Sequence, residues 1–125
     1  MNSIALAQTA YQDAQSVVVS GRDLEYRVFA RATRGLTDRP RSGPTAYPAL
    51  VEALQFNTTL WSVLAQDVAS ENNGLSKELR GQIFYLYEFV RHHSKEVRKG
   101  VADVGPLVDV NRAVMRGLRP DRGSD

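Results

Sequence analysis

Most of the residues with the types and spacing for chemistry lie in the second half of the chain. The full set is His92-His93 with the acids around them, three stripes of basic residues, and the aromatic run Phe84, Tyr85, Tyr87 and Phe89. Neighbouring helical residues point about 100° apart, so His92 and His93 cannot share one metal ion. Glu88, His92 and Glu96 do share a helical face at four-residue steps, but no third strong ligand is near in sequence. A solvated charge ladder is the expectation there, with no metal site. His93 falls on the inner stripe, as a hydrogen-bonded, partly buried histidine. Residues 67–78 put Asp67 and Glu78 at the first and twelfth positions of a calcium loop. The third position, however, is Ala69, and Asn72 stands where the loop needs glycine, with Gly74 two residues late. That segment reads as a helix–turn–helix connection. A glycine-rich phosphate loop, a nucleophile elbow and a histidine-rich metal helix are all absent. No catalytic residue, no cofactor and no enzymatic activity are expected.

The basic residues fall at helical spacing. Arg27, Arg31 and Arg34 share one face, Arg91, Lys95 and Arg98 a second, and Arg112, Arg116 and Arg119 a third. If the three converged in space they could follow a phosphate backbone, and Arg27, Arg31 and Arg34 are the candidate phosphate-contacting stripe. The competing reading is that these are solvent faces of amphipathic helices, partly paired with Asp23, Glu88 and Asp109.

These side chains need a scaffold, and the scaffold reads as helical. The chain has 125 residues, 42% hydrophobic and 24% charged, which suits one domain with a single core. Cysteine is absent, which excludes disulfide scaffolds, thiolate metal sites and cysteine nucleophiles. The stretch Ile4-Ala5-Leu6-Ala7 stops at Gln8 and has no Lys or Arg before it, unlike a signal peptide. No apolar run approaches the roughly 18–20 residues that span a bilayer. A soluble cytoplasmic protein with no membrane partner is expected. The net charge of +2 hides segregation: residues 22–45 carry +3, residues 46–90 carry −3 and residues 91–125 carry +3. That is a modest dipolar surface rather than the strongly basic face of a dedicated nucleic-acid binder.

Period-two alternation is missing and helical periodicity dominates. A first helix capped by Asn2 or Ser3 would carry Ile4, Ala7, Tyr11, Ala14 and Val18, and would end at Ser20-Gly21. A second spans about Arg22 to Leu36, with Tyr26, Phe29, Thr33 and Leu36 inward. Residues 37–46 form the loop-rich stretch. Pro48 opens a third helix to about Ala69, with Leu50, Leu54, Asn57, Trp61, Leu64 and Val68 inward. Ser76 caps a fourth from Lys77 to about Lys99, with Leu79, Ile83, Leu86, Val90 and Val97 inward and Gly100 as its stop. Pro106 opens a fifth, carrying Leu107, Val108, Val114, Met115 and Leu118. The pattern predicts an all-α fold, a small single-domain bundle of about five helices over residues 1–125, with 119–125 as a flexible tail. The fourth helix is apolar beyond one stripe, because Phe84, Tyr85, Tyr87 and Phe89 widen it. Such a helix is either central in the core or covered by something else.

With these elements in place, the chain resembles the FlaF family of bacterial flagellar biosynthesis regulators. The matching stretches are EYRVFARATRGL at Glu25–Leu36, YPALVEALQFNTTLWSVLAQDVA at Tyr47–Ala69, LSKELRGQIFYLYEFVRHHSKEV at Leu75–Val97 and PLVDVNRAVMRGLRP at Pro106–Pro120. Trp61, the RHHS at Arg91–Ser94 and the NRAVMRGL at Asn111–Leu118 make the match specific. The resemblance implies a non-enzymatic cytoplasmic protein that binds flagellin in a chaperone-like way and couples flagellin synthesis to export and assembly. It also implies work with or against a second regulator, FlbT, at the post-transcriptional level. It brings no residue-level site with it. Flagellin subunits end in amphipathic helices that pair only in the filament, and a helical bundle can offer an apolar groove to such a helix. The residues expected to line that groove are Trp61, Phe84, Tyr85, Tyr87, Phe89 and Met115. Direct contact with the flagellin messenger RNA through the arginine stripes, or action through a complex with FlbT, are the alternatives.

Overall fold

The structure, a computed structural model, describes the backbone of residues 15–69 and 76–118, and side chains from residue 25 onward within those ranges except that of Leu118. Among the described residues there are four helices and no strand: α1 Gln15–Thr37, α2 Ala46–Ala69, α3 Lys77–Arg98 and α4 Gly105–Leu118. The all-α class expected from periodicity is therefore the observed one.

The helix count differs at one place. A break was expected at Ser20-Gly21, but α1 runs through both residues. A glycine ends a helix when it takes the left-handed conformation, and among the described glycines only Gly43 (φ 89°) and Gly100 (φ 84°) have positive φ. A helical glycine costs only about 1 kcal/mol, whereas a new helix must be nucleated afresh. The proposed cap at Asn2 or Ser3, the stripe Ile4, Ala7, Tyr11 and Ala14, the turn at 70–75 and the tail after Leu118 lie outside the described residues.

The other boundaries follow local chemistry. Ser76 caps α3, its Oγ accepting from the Leu79 amide at 3.1 Å. Gly100 closes the same helix: its amide donates to the Val97 carbonyl at 3.0 Å, and the Val101 amide to the Glu96 carbonyl at 2.9 Å. This paired arrangement needs the left-handed residue that glycine supplies. Pro48 is the third residue of α2 rather than its first, still within the turn whose amides have no helical acceptor. The Asp103 carboxylate accepts from the Gly105 amide at 2.9 Å, just before Pro106.

The core lies where α1, α2 and α4 meet and where the C-terminal half of α3 joins them. Phe29, Ala32 and Leu36 come from α1, Leu54, Leu60, Trp61, Leu64 and Val68 from α2, Val90 and Val97 from α3, and Leu107 and Val108 from α4. α2 packs between α1 and α3, while α4 packs mainly on α1. The Phe29 and Trp61 rings meet edge to face with centroids 5.6 Å apart. Inside this apolar core sits a polar cluster. Trp61 Nε1 donates to Asn111 Oδ1 at 2.9 Å. Asn111 Nδ2 donates to Asn57 Oδ1 at 2.8 Å and to Thr33 Oγ1 at 3.1 Å, and the Thr33 hydroxyl donates to the Phe29 carbonyl at 2.8 Å. One asparagine thus ties α4 to both α1 and α2.

Candidate functional site

Of the six residues expected to line an apolar groove, the structure brings only part together. Trp61 is a correction: it is fully buried, and its indole N–H is committed to Asn111. It lies on the inner stripe of α2, so its large apolar surface fills the core and offers nothing to a partner. Met115 is half-buried beside the Thr33 hydroxyl, its Sδ 3.8 Å from Oγ1. It lines a shallow recess with Tyr26, Arg112 and Arg116 at the seam of α1 and α4, away from the aromatic run.

The aromatic run lies on the N-terminal half of α3. Tyr85 is 73% exposed, Phe84 40% and Leu79 41%. Tyr87 and Phe89 are half-buried; the Arg91 guanidinium lies 5.7 Å from the Tyr87 ring centre, and Phe89 stacks on His93 at 5.3 Å. The register with α2 explains why this face is open. α2 and α3 run antiparallel, with Thr58 and Ser94 hydroxyls 3.4 Å apart. Counting outward from that pair sets Ala69, the last residue of α2, opposite Ile83. Residues 77–82 therefore extend past the end of α2, and no α3 residue before Val90 is buried. Glu78, Gly81, Gln82, Tyr85 and Leu86, at three- and four-residue steps, line an open depression of about 580 Å³ on the side of α3 that carries Tyr85, while Phe84 points about 100° away from it. Gly81 adds no side chain to it, and a Cβ there would meet nothing within 4 Å.

His93 is where the inner stripe put it: half-buried, its Nε2 2.8 Å from the Asp103 carbonyl. A carbonyl only accepts, so Nε2 carries the proton and His93 ties α3 to the turn before α4. The ladder beside it is solvated. Glu88 pairs with Arg91 at 3.3 Å and Glu96 with Lys99 at 3.7 Å. Among the described residues no three His, Cys, Asp or Glu side chains are grouped to hold a metal ion.

The described residues of the basic stripes border three different recesses. Arg91, Lys95 and Arg98 border a small recess with Leu54, Gln55 and Thr58 between α2 and α3. Arg112 and Arg116 lie by α1 and α4, and Arg119 is outside the described residues. Arg27, Arg31 and Arg34 are exposed on α1. Two of these, Arg31 and Arg34, line a groove of about 430 Å³ between α1 and α2, with Arg39 and Glu52 among its other walls. The Arg31 guanidinium carbon lies 4.8 Å from the Phe56 ring centre. Arg39 is held below its usual pKa, first by burial and then by the neighbouring charge of Arg41.

What sequence reasoning missed is Asn111, the hub of the buried cluster. A signal existed: Asn111 stands four residues after Leu107 and four before Met115, on the inner stripe of α4. A polar residue there, facing Thr33 and Asn57 on two other inner stripes, points to a shared network.

Fold and surface together define a small all-α protein with a polar-locked core and shallow, solvent-facing recesses. A family model described as flagellar protein FlaF matches residues 7–118, and the chain belongs to that family. It is a flagellar protein. No curated protein and no solved structure matched the chain. Among the described residues, no helix is long and apolar enough to cross a membrane.

Proposed function

We propose that this FlaF-family protein is a non-enzymatic, chaperone-like factor that binds flagellin in the cytoplasm and couples its synthesis to export and assembly. The observation that carries this reading is the surplus apolar surface left open on the N-terminal half of α3, where Leu79, Phe84 and Tyr85 are exposed on different sides of the helix and no residue before Val90 is fully buried. An amphipathic helix binds such a surface through anchors at i, i+3, i+4 and i+7, and removes its own apolar stripe from water in doing so. Flagellin terminal helices have that stripe and lack a partner until they reach the filament. Among the described residues the basic stripes border separate recesses, and Arg91 is paired to Glu88, which favours a protein partner over RNA.

Calorimetry of the purified protein with its own flagellin monomer, at low and high salt, tests this. Salt-tolerant binding with a negative heat-capacity change is expected from burial of apolar surface. Tyr85→Ala removes a largely exposed side chain, so the fold survives while affinity falls by roughly tenfold or more, as for an aromatic anchor. No binding to flagellin, or unchanged affinity in folded Tyr85→Ala, overturns the reading. Affinity for the flagellin messenger that falls steeply with salt would point to the arginine stripes instead.

A further inference from the structure

The groove between α1 and α2 has a feature that the flagellin reading does not use. Four arginines, Arg31, Arg34, Arg39 and Arg41, fall within eleven residues at the end of α1 and the turn after it. Among the described residues, none of these four arginines is paired with a carboxylate within 4.0 Å. Arg41 is spent on the Thr37 carbonyl at 3.0 Å and Arg31 lies over the Phe56 ring. The Arg39 Nε is buried and has no hydrogen-bond acceptor. A buried guanidinium N–H without an acceptor is uncommon and is costly to leave so. Burial and the Arg41 charge both disfavour its charged form. An anion entering the groove beside this partly buried side chain would favour the charged guanidinium and offset both effects.

We propose that this groove binds a carboxylate-bearing peptide segment of a partner protein, with Arg39 as the anchor and Arg31 and Arg34 as flanking contacts. The floor suits a peptide: Ala32, Gly35, Ala49 and Ala53 are small, and α1 and α2 approach closely, since a Cβ on Gly35 would lie 3.7 Å from the Ala53 Cβ. A recess of about 430 Å³ has the size of a small-ligand pocket and takes one or two side chains of an extended or helical segment. Asp38 and Glu52 also line the groove. They oppose a continuous row of phosphates, but leave room for a carboxylate spaced to meet Arg39. The one aromatic in the groove, Phe56, is already covered by Arg31, so no ring is free for a base to stack on. α3 contributes no residue to the groove, so the site stands or falls separately from the flagellin-binding face.

The test is a titration of the isotope-labelled full chain, followed by amide chemical shifts, with a capped alanine peptide carrying a single central glutamate and separately with a hexauridylate. The peptide is expected to give saturable shifts at Gly35, Arg39, Ala49 and Ala53. Arg39→Gln should weaken it by about tenfold or more, as loss of a charge-assisted hydrogen bond does. Glu52→Gln, which removes a repelling wall charge from an exposed position, should strengthen binding about threefold, a gain that misfolding cannot mimic. Absence of saturable shifts overturns the proposal. So do shifts spread equally to Arg91, Arg98 and Arg112, unchanged affinity in folded Arg39→Gln, or tighter hexauridylate binding at the same amides.

Discussion

Asn111 joins three helices through a single buried side chain. Its side chain accepts from Trp61 and donates to both Asn57 and Thr33, and all of these partners are buried. A buried polar network is favourable when satisfied and costly when broken, because each orphaned group has already lost its water. Asn111→Ala leaves the Trp61 N–H without its acceptor and opens a void between three helices. The expected loss is about 2–4 kcal/mol, read as the midpoint shift in chemical denaturation. Trp61 is the one tryptophan of the chain, so its fluorescence reports directly on this site. A loss below about 1 kcal/mol would mean that the cluster contributes little beyond the apolar packing around it. Three of the four side chains of this cluster were legible beforehand, because Thr33, Asn57 and Trp61 sit on inner stripes of their helices. What the stripes do not say is which inward polar groups meet, since that depends on the crossing of three helices.

At the scale of the elements, capping chemistry proved more readable than breaks. Ser76 and Gly100 act at α3 as their types require, because a cap is a local hydrogen-bond arrangement that neighbouring residues complete. Ser20-Gly21 misled for a complementary reason. The dipeptide permits a stop but does not enforce one, and α1 keeps its helical backbone through it. The two kinds of glycine give opposite predictions. Gly100 has φ 84°, so Gly100→Ala forces a side chain into the left-handed region and costs about 1–2 kcal/mol. Gly81 is helical, and an added Cβ meets nothing within 4 Å, so Gly81→Ala should stabilise by up to about 1 kcal/mol. Thermal denaturation of both variants checks the signs, and equal signs would contradict the assigned backbone. The aromatic run of α3 was legible as surplus apolar surface. Whether it was core or open could not be read, because that hinges on where α2 ends relative to α3. Trp61 was misplaced on the same ground: width of an apolar face says how much is covered, not by what.

Over the whole molecule, packing is uneven along the bundle. The end holding Val90, Val97, Leu107 and Val108 joins the four described helices, whereas residues 77–82 of α3 run beyond the end of α2 and include no fully buried residue. Local opening free energy follows buried apolar contact, so a helix with one packed half and one unpacked half should not exchange its amides uniformly. Native-state hydrogen exchange should find the amides of 90–97 protected close to the global limit, and those of 81–86 opening at a lower cost while still helical. The same half carries Phe84 and Tyr85, which gives the measurement a functional arm. Flagellin seated on this face should slow exchange at 81–86 and leave 90–97 nearly unchanged, since the latter are already limited by global unfolding. An acidic peptide in the groove of α1 and α2 should instead act on residues 31–35 and 49–56. Uniform protection along α3 in the free protein would mean that its outer half is held by contacts equal to those of the core. The open apolar face could then no longer be the feature that sets this protein's binding.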